Sequence, residues 1–223
     1  MKEVVVAGEG EVLDVELEED YLRRNRELAE RNRRLADSFG VRLIDVMGSV
    51  GSGKTTLIES VVSRLRDKYR VGVVAGDLTT TIDASRLSKL GVPTVQINTG
   101  RECHLDANLV SKALSKLDLA NLDLVFIENV GNLICPADFE LGAHQRVVVF
   151  SVTEGPYVVA KHPAIFASAD VAVLNKIDLA EAMEVDPDLL LAEVRRVKPN
   201  IKAVKASLKR GVGVGEVIEA LGL

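Results

Sequence analysis

The chain has 223 residues, of which 47% are hydrophobic, and a formal net charge of −5, a balance that suits one globular domain with a sizeable core. Long basic runs and apolar stretches of about 18 residues are absent from the sequence, so neither nucleic acid nor membrane is an expected partner. The N-terminus lacks the apolar segment of a signal peptide, and a cytoplasmic protein with reduced cysteines is expected.

The first predicted element is a charged helix over residues 18–37. Its apolar pairs at 21–22, 28–29 and 35–36 recur every seven residues and form a narrow stripe on one face. Packing on its own domain is the favoured interpretation, and pairing with a partner helix is the alternative. We therefore divide the chain into an N-terminal extension, residues 1–39, and one further domain, residues 40–223.

After residue 40, short apolar runs alternate with longer amphipathic stretches. The runs predicted as strands are 41–47, 71–75, 94–97, 124–127, 146–152, 171–174 and 201–204. Helices are predicted over 55–68, 84–90, 105–117, 187–197 and 214–221. Strands this continuously apolar are typical of a parallel sheet that is covered by helices on both faces. The predicted fold class is therefore α/β, with a mostly parallel sheet flanked by helices.

A glycine-rich segment follows the first predicted strand and opens the next predicted helix. Its predicted nucleotide-binding residues are Gly48, Ser49, Val50, Gly51, Ser52, Gly53, Lys54, Thr55 and Thr56. This pattern is a Walker A motif, whose backbone N–H groups bind phosphate and whose glycines leave room for it. Lys54 is expected to lie exposed in the loop as a charge for the β- and γ-phosphates, and Thr55 offers a hydroxyl to Mg²⁺.

Two acidic residues occur at the ends of predicted strands. Asp77 follows the run 71–75, and Glu128 ends the run 124–127. Both would emerge at strand carboxyl ends beside the phosphates, where acids hold Mg²⁺ or orient water. Thr55, Asp77 and Glu128 are therefore the predicted magnesium ligands. Lys54, Asp77 and Glu128 are the predicted catalytic residues.

The cysteines have two interpretations from the residues alone. Cys103 and His104 are adjacent, and Cys135 follows Glu128 by seven positions. A soft nitrogen and sulfur set of this kind suits Zn²⁺ or Ni²⁺. However, the sequence has no C-x-x-C pair, and cysteines often serve as small core residues.

A second nucleotide motif follows the run 171–174. Asn175, Lys176 and Asp178 form an Asn-Lys-x-Asp pattern, in which a carboxylate accepts two hydrogen bonds from guanine that adenine cannot donate. The alternative is that Asp178 only caps a helix. The Walker A motif in the same chain makes this alternative less favoured than guanine binding. Ser207 is a further predicted guanine contact, although Ser207-Leu-Lys departs from the usual Ser-Ala-Lys. Together the two motifs predict GTP and GDP as ligands, and they indicate that residues 40–223 form a P-loop GTPase domain.

The order GSVGSGKTT, GDLTT, NTGRECHLDA, ENVGNLICPADFELG and LNKIDL resembles the HypB family, GTPases that assist nickel insertion into nickel-iron hydrogenases. The resemblance covers nearly the whole chain. It implies a P-loop fold of the SIMIBI class, dimerisation linked to GTP, and an interface site for Ni²⁺ or Zn²⁺ built from Cys103, His104 and Cys135. It also implies a hydrogenase maturation protein and the hydrogenase large subunit as partners.

Other functions remain possible from the sequence. The urease accessory GTPase has a Cys-Pro-His motif, whereas Cys135-Pro is followed here by alanine. A GTPase that regulates a partner without carrying metal is a second alternative. A P-loop kinase or ATPase is a third, but it would leave Asn175 and Asp178 unexplained.

Overall fold

A computed structural model of the protein describes residues 15–78, 82–100 and 102–223. The first 14 residues of the predicted N-terminal extension lie outside this set, as do Thr79 and Thr80 of the GDLTT segment. Within the described residues, none of the helices is both long enough and apolar enough to cross a membrane.

Seven strands form one sheet in the order β3-β2-β4-β1-β5-β6-β7. The strands are β1 Arg42–Gly48, β2 Val71–Asp77, β3 Thr94–Asn98, β4 Leu124–Glu128, β5 Gln145–Ser151, β6 Val171–Asn175 and β7 Lys202–Lys205. Every neighbouring pair is parallel. The predicted α/β class and parallel sheet are therefore confirmed, and each predicted strand is present with small shifts of its ends.

The helices of the described residues cover both faces of this sheet. They are α1 Val15–Ser38, α2 Lys54–Leu65, α3 Ile82–Ser88, α4 Ala107–Leu114, α5 Val158–Lys161, α6 Pro163–Ser168, α7 Pro187–Val197 and α8 Val214–Leu221. Helices α5 and α6 were not among the predicted helices because each is too short to show a 3.6-residue period. The start of α4 is two residues later than predicted, because the Asp106 carboxylate caps it by accepting from the Leu109 N–H.

Alternating side chains of β1 separate two halves of the core. Ile44 packs with Leu57, Val61 and Val217, which belong to α2 and α8. Leu43 faces the other way, toward the core that contains Val110 of α4 and Ala36 of α1. A further cluster beside β5 and β6 contains Phe150 and Phe166, whose rings meet edge to face at 5.0 Å. The sheet is thus buried on both faces, which explains its unbroken apolar runs.

Helix α1 packs on its own chain through a face that is partly polar. Asn25, Ala29, Asn32 and Ala36 are buried on this face, and their spacing follows successive turns of one helix. Asn32 Nδ2 donates to Ala107 O at 2.8 Å and to Leu141 O at 3.2 Å. Asn25 accepts from the Ala107 N–H at 2.8 Å and donates to Glu140 O at 2.8 Å. Helix α1 therefore holds both the start of α4 and the loop before β5.

Candidate nucleotide and metal sites

The parallel sheet brings the predicted nucleotide motifs to one edge. Strands β1, β2, β4 and β6 end at Gly48, Asp77, Glu128 and Asn175, and parallel strands present their carboxyl ends on the same side. A cleft of about 320 Å³ lies at this edge, and Lys54, Thr55, Asp77 and Glu128 are among its lining residues. The cleft is thus lined by the residues that were predicted to bind phosphate and magnesium.

Three glycines of the loop between β1 and α2 have backbone angles that disfavour other residues. Gly48, Gly51 and Gly53 have φ values of 145°, 77° and 111°. A Cβ at Gly48 would collide with Val149 O, and one at Gly53 would collide with Asn175 Nδ2. Gly51 instead faces open space. The loop is therefore packed tightly against the sheet on one side and remains open on the side where a phosphate would approach.

Lys54 is buried, and the expectation of an exposed lysine was wrong. It is the first residue of α2, is 7% exposed, and its Nζ donates to Ser49 O at 2.9 Å and Gly48 O at 3.1 Å. Burial lowers its pKa, while the carboxylate of Glu128 opposes that shift. The loop curls around the ammonium group because its own carbonyls supply the hydrogen bonds that water would otherwise make.

Thr55 and Glu128 form the deepest polar contact of the cleft. Thr55 Oγ1 lies 2.7 Å from Glu128 Oε1 and 3.0 Å from Asp83 Oδ1, and its hydroxyl can donate to either carboxylate. Burial raises the pKa of Glu128 to about 7, although the Thr55 hydroxyl and the Lys54 ammonium stabilise its charged form. Among the described residues, no group hydrogen bonds to the buried Glu128 Oε2.

This donor set fits magnesium. A hydroxyl and several carboxylates are the hard oxygen ligands that Mg²⁺ prefers, and the unpaired Glu128 Oε2 is a buried acceptor that a cation would satisfy. Asp77 is partly buried at the end of β2 and lines the same cleft. Thr55, Asp77 and Glu128 are therefore brought together as predicted, and Asp83 joins them.

Asn175 connects two loops of the nucleotide edge. Its side chain is buried, its Nδ2 donates to Ser52 O at 2.8 Å, and its Oδ1 accepts from the Leu208 N–H at 3.1 Å. Lys176 adopts a left-handed conformation with φ of 60°, and its Nζ donates to Thr153 Oγ1 at 3.3 Å. Asn175 thus fixes the position of the glycine-rich loop relative to the segment after β7.

The segment after β7 also carries the partners of Asp178. Ser207 Oγ donates to Asp178 Oδ1 at 2.5 Å, and Arg210 Nε lies 3.0 Å from Asp178 Oδ2. The Ser207 hydroxyl and, more weakly, Arg210 lower the pKa of Asp178, so the carboxylate is held in its charged form. The Ser207 backbone N–H donates to Val212 O. In this structure Ser207 thus orients Asp178 through its hydroxyl.

The two cysteines and His104 converge beside the cleft. Cys103 Sγ lies 3.1 Å from Cys135 Sγ and 3.9 Å from His104 Nδ1, and one ligand atom from each residue fits within 4.8 Å. His104 is buried, and its ring stacks on Phe139 at 3.8 Å. Burial lowers the pKa of His104, which favours the neutral imidazole that binds metal.

Cys135 differs from His104 in its protonation. The hydrogen bond with Cys103 and burial both raise the pKa of the Cys135 thiol. A metal ion must therefore displace a proton from this residue when it binds. Both cysteines are free thiols. Two sulfur ligands and one imidazole nitrogen form a soft set that suits Ni²⁺ or Zn²⁺.

The chain is also similar to known proteins in sequence. The model of the CobW/HypB/UreG nucleotide-binding domain matches residues 42–205. The probable hydrogenase maturation factor HypB of Methanocaldococcus jannaschii is 49% identical over 208 residues, and the match covers 93% of each chain. The chain belongs to the HypB family.

Two solved HypB structures are similar to this HypB-family chain. The structure from Archaeoglobus fulgidus is 43% identical, with a TM-score of 0.84, and the match covers 90% of this chain and 98% of that one. The structure of HypB from Helicobacter pylori in complex with nickel is 34% identical, also with a TM-score of 0.84, and the match covers 89% of this chain and 93% of that one. The resemblance inferred from the sequence is therefore confirmed.

Sequence reasoning missed Asp83 in this HypB-family site. Asp83 lies in the first turn of α3, one residue before the start predicted for that helix. Its only sequence signal is an acid at a helix start, which is common without any ligand because it also stabilises the helix dipole. Arg210, which pairs with Asp178, likewise had no predicted role, and a basic residue in a surface loop is not a distinctive signal.

Proposed function

We propose that this chain is a GTP-hydrolysing metallochaperone that assists nickel insertion into nickel-iron hydrogenase. The observation that carries this proposal is the convergence of Cys103, His104 and Cys135 next to a P-loop cleft that contains Glu128. Two findings from relatives support it: a similar protein is named a probable hydrogenase maturation factor, and another similar protein is described in complex with nickel.

The nucleotide part of the proposal assigns guanine recognition to Asp178. Its carboxylate, held in place by the Ser207 hydroxyl, would accept the two hydrogen bonds that guanine donates. Adenine lacks this pair of donors and would leave the Asp178 carboxylate without them, so it should bind less well. Asn175 would hold the glycine-rich loop in register with Asp178 through its contacts with Ser52 and Leu208. GTP and GDP are therefore the proposed nucleotides.

The phosphate chemistry falls to the residues of the cleft. Lys54 would exchange its carbonyl partners for phosphate oxygens, and Gly51 would leave the backbone open for their approach. Thr55, Asp77 and Glu128 would hold Mg²⁺, which neutralises phosphate charge when it is bound. Glu128 and Asp77 are the proposed groups for orienting the attacking water, because their carboxylates line the cleft.

The metal part of the proposal requires two chains. Cys103, His104 and Cys135 supply three ligands, whereas Zn²⁺ and related ions usually take about four in a closed protein site. A symmetric homodimer would bring two such sets together and complete the coordination. We propose that GTP favours this dimer, and that the metal passes to or from a hydrogenase maturation partner and the hydrogenase large subunit.

A competition titration tests this proposal. The purified chain is titrated with Ni²⁺ or Zn²⁺ against a chromophoric chelator, with GDP and then with a non-hydrolysable GTP analogue. Cys103→Ala, Cys135→Ala and His104→Ala should each abolish tight binding but leave GTP affinity nearly unchanged, because none of these residues contacts the phosphate cleft. His162→Ala is the matched control, since His162 lies outside the cluster.

The result that would contradict the proposal is equally specific. Unchanged metal affinity in the three cluster variants would remove the metal site, and the chain would then be a GTPase that regulates a partner without carrying metal. Equal affinity of the parent protein for ATP and GTP would remove the guanine assignment.

A further inference from the structure

Asn132 occupies the junction between the P-loop and the cysteine-histidine cluster. It lies in the segment between Glu128 and Cys135 and forms an isolated bridge with Gly48, the last residue of β1. The Asn132 N–H donates to Gly48 O at 3.1 Å. The residue before it, Gly131, packs so closely on Val50 that a Cβ at Gly131 would collide with the Val50 side chain. This segment therefore follows the glycine-rich loop in direct contact.

The side chain of Asn132 joins the two parts of the metal cluster. Its Nδ2 donates to Cys103 O at 3.3 Å, and its Oδ1 accepts from the Ile134 N–H at 2.9 Å. Ile134 directly precedes Cys135. One amide group thus spans from the backbone of the first cysteine to the residue before the second, and it sets the spacing of the two thiols.

The same Gly48 carbonyl binds the P-loop lysine. Lys54 Nζ donates to Gly48 O at 3.1 Å, so Gly48 O accepts from both Lys54 and Asn132. If Lys54 turned to the phosphates of a nucleotide, Gly48 O would lose one of these two donors and keep the Asn132 N–H. One shared acceptor atom could thereby link the nucleotide to Asn132.

We propose that Asn132 is a positioning residue that sets the geometry of the Cys103/His104/Cys135 site and couples it to the nucleotide through Gly48. This inference rests on the proposed function, because it presumes that the cluster binds metal and that the P-loop binds GTP. Groups that orient metal ligands from outside the coordination sphere commonly change metal affinity by about 10- to 100-fold when they are removed. Coupling of two sites further requires an element that both of them bias.

Two substitutions separate the cross-link from the local turn. Asn132→Ala removes the side-chain bonds to Cys103 O and to the Ile134 N–H. Asn132→Ser keeps a hydroxyl that can accept from the Ile134 N–H, as serine does in turns, but it is too short to reach Cys103 O. Asn108→Ala is the control, because Asn108 is exposed on α4. Circular dichroism and GTP affinity verify that each variant is folded.

The measurement uses the full-length protein with Ni²⁺ alone as the metal probe. Affinity is determined by chelator competition with GDP and with a non-hydrolysable GTP analogue, and the thiolate-to-nickel charge-transfer absorption is recorded for each state. Both Asn132 variants should weaken Ni²⁺ binding by about 10-fold or more. Their affinities should no longer differ between the two nucleotides, and their charge-transfer absorption per bound ion should fall. Asn108→Ala should match the parent in every respect.

The outcomes distinguish this inference from the proposed function. If the parent protein binds no Ni²⁺, the proposed function fails and the inference fails with it. If the parent binds Ni²⁺ in a nucleotide-dependent manner and Asn132→Ala does the same, the inference alone is overturned. Full recovery in Asn132→Ser would also overturn it, because the residue would then serve only the local turn before Cys135.

Discussion

At the scale of single residues, Glu128 combines burial with a missing partner. Its carboxyl group is 3% exposed, and its pKa is raised from 4.5 to about 7, chiefly by burial. Between these two pH values the folded state binds a proton that the unfolded chain has released, so the stability of the nucleotide-free protein falls as pH rises. The site thus favours a cation most strongly where the carboxylate is charged.

We expect Glu128→Gln to remove this pH dependence. The variant keeps an oxygen that can accept from Thr55 but has no charge to bury, so its stability relative to the parent should increase between pH 5 and pH 8 by about 3 kcal/mol. Urea unfolding of the nucleotide-free proteins measures the difference, with the exposed Glu140→Gln as control. Parallel stability curves for parent and variant would show that Glu128 has an ordinary pKa.

Asp178 carries the prediction of base specificity. Asp178→Asn keeps an oxygen for the Ser207 hydroxyl but replaces the second acceptor with a donor, so GTP should bind at least about 100-fold more weakly. Xanthosine triphosphate carries an acceptor where guanine carries its 2-amino donor, so it should bind the variant better than it binds the parent. Calorimetric titration with both nucleotides measures this exchange. Asp188→Asn is the control, because Asp188 is exposed and its carboxylate pairs with Lys205 on the surface.

At the scale of elements, α1 supports both halves of the cysteine-histidine cluster. Asn25 and Asn32 both hydrogen bond to the backbone of Ala107, three residues after His104. Asn32 also binds Leu141 O, and Asn25 binds Glu140 O. These two carbonyls belong to the loop that carries Phe139. These hydrogen bonds satisfy the two buried asparagine amides and, at the same time, the loop backbone groups that they contact. The helix therefore contributes to the site although it supplies no ligand.

Asn32→Ala should destabilise the fold and loosen the cluster together. Loss of two bonds to buried carbonyls costs about 1–3 kcal/mol, and nickel affinity should fall because the loop after Cys135 is less constrained. Thermal unfolding and chelator competition measure the two effects. Arg31→Ala, an exposed change on the same helix, should affect neither. A variant with reduced stability but unchanged nickel affinity would confine α1 to a structural role.

The elements differ in how far the sequence predicts them. The strands were predictable because burial on both faces requires continuous apolar residues. The glycine-rich loop was predictable because positive φ values favour glycine. The buried face of α1 was not, because Asn25 and Asn32 lie on it and the amide partners come from distant loops. The burial of Lys54 likewise depends on carbonyls that only the folded loop brings near. Contacts between polar groups far apart in sequence remain outside pattern reasoning.

At the scale of the whole molecule, the ligand count predicts assembly. We expect the protein to be a dimer when both a non-hydrolysable GTP analogue and Ni²⁺ are present, because each chain offers three ligands and two chains complete the coordination. Light scattering after gel filtration measures the mass in GDP with chelator and in the GTP analogue with Ni²⁺. Cys103→Ala should lose the part of dimerisation that depends on metal. A mass that is equal in the two conditions would contradict the dimer.

The strand order has a consequence for synthesis of the chain. Strand β1 lies between β4 and β5. Ile44 therefore cannot pair with both neighbouring strands until Phe126 and Gln145 have been synthesised. The glycine-rich loop is fixed even later in synthesis, because Ser52 O is hydrogen bonded to Asn175, and Asn175 is hydrogen bonded to the Leu208 N–H. Such distant pairings form late. A ribosome-bound chain should therefore not hold its glycine-rich loop in the folded position until Leu208 has emerged.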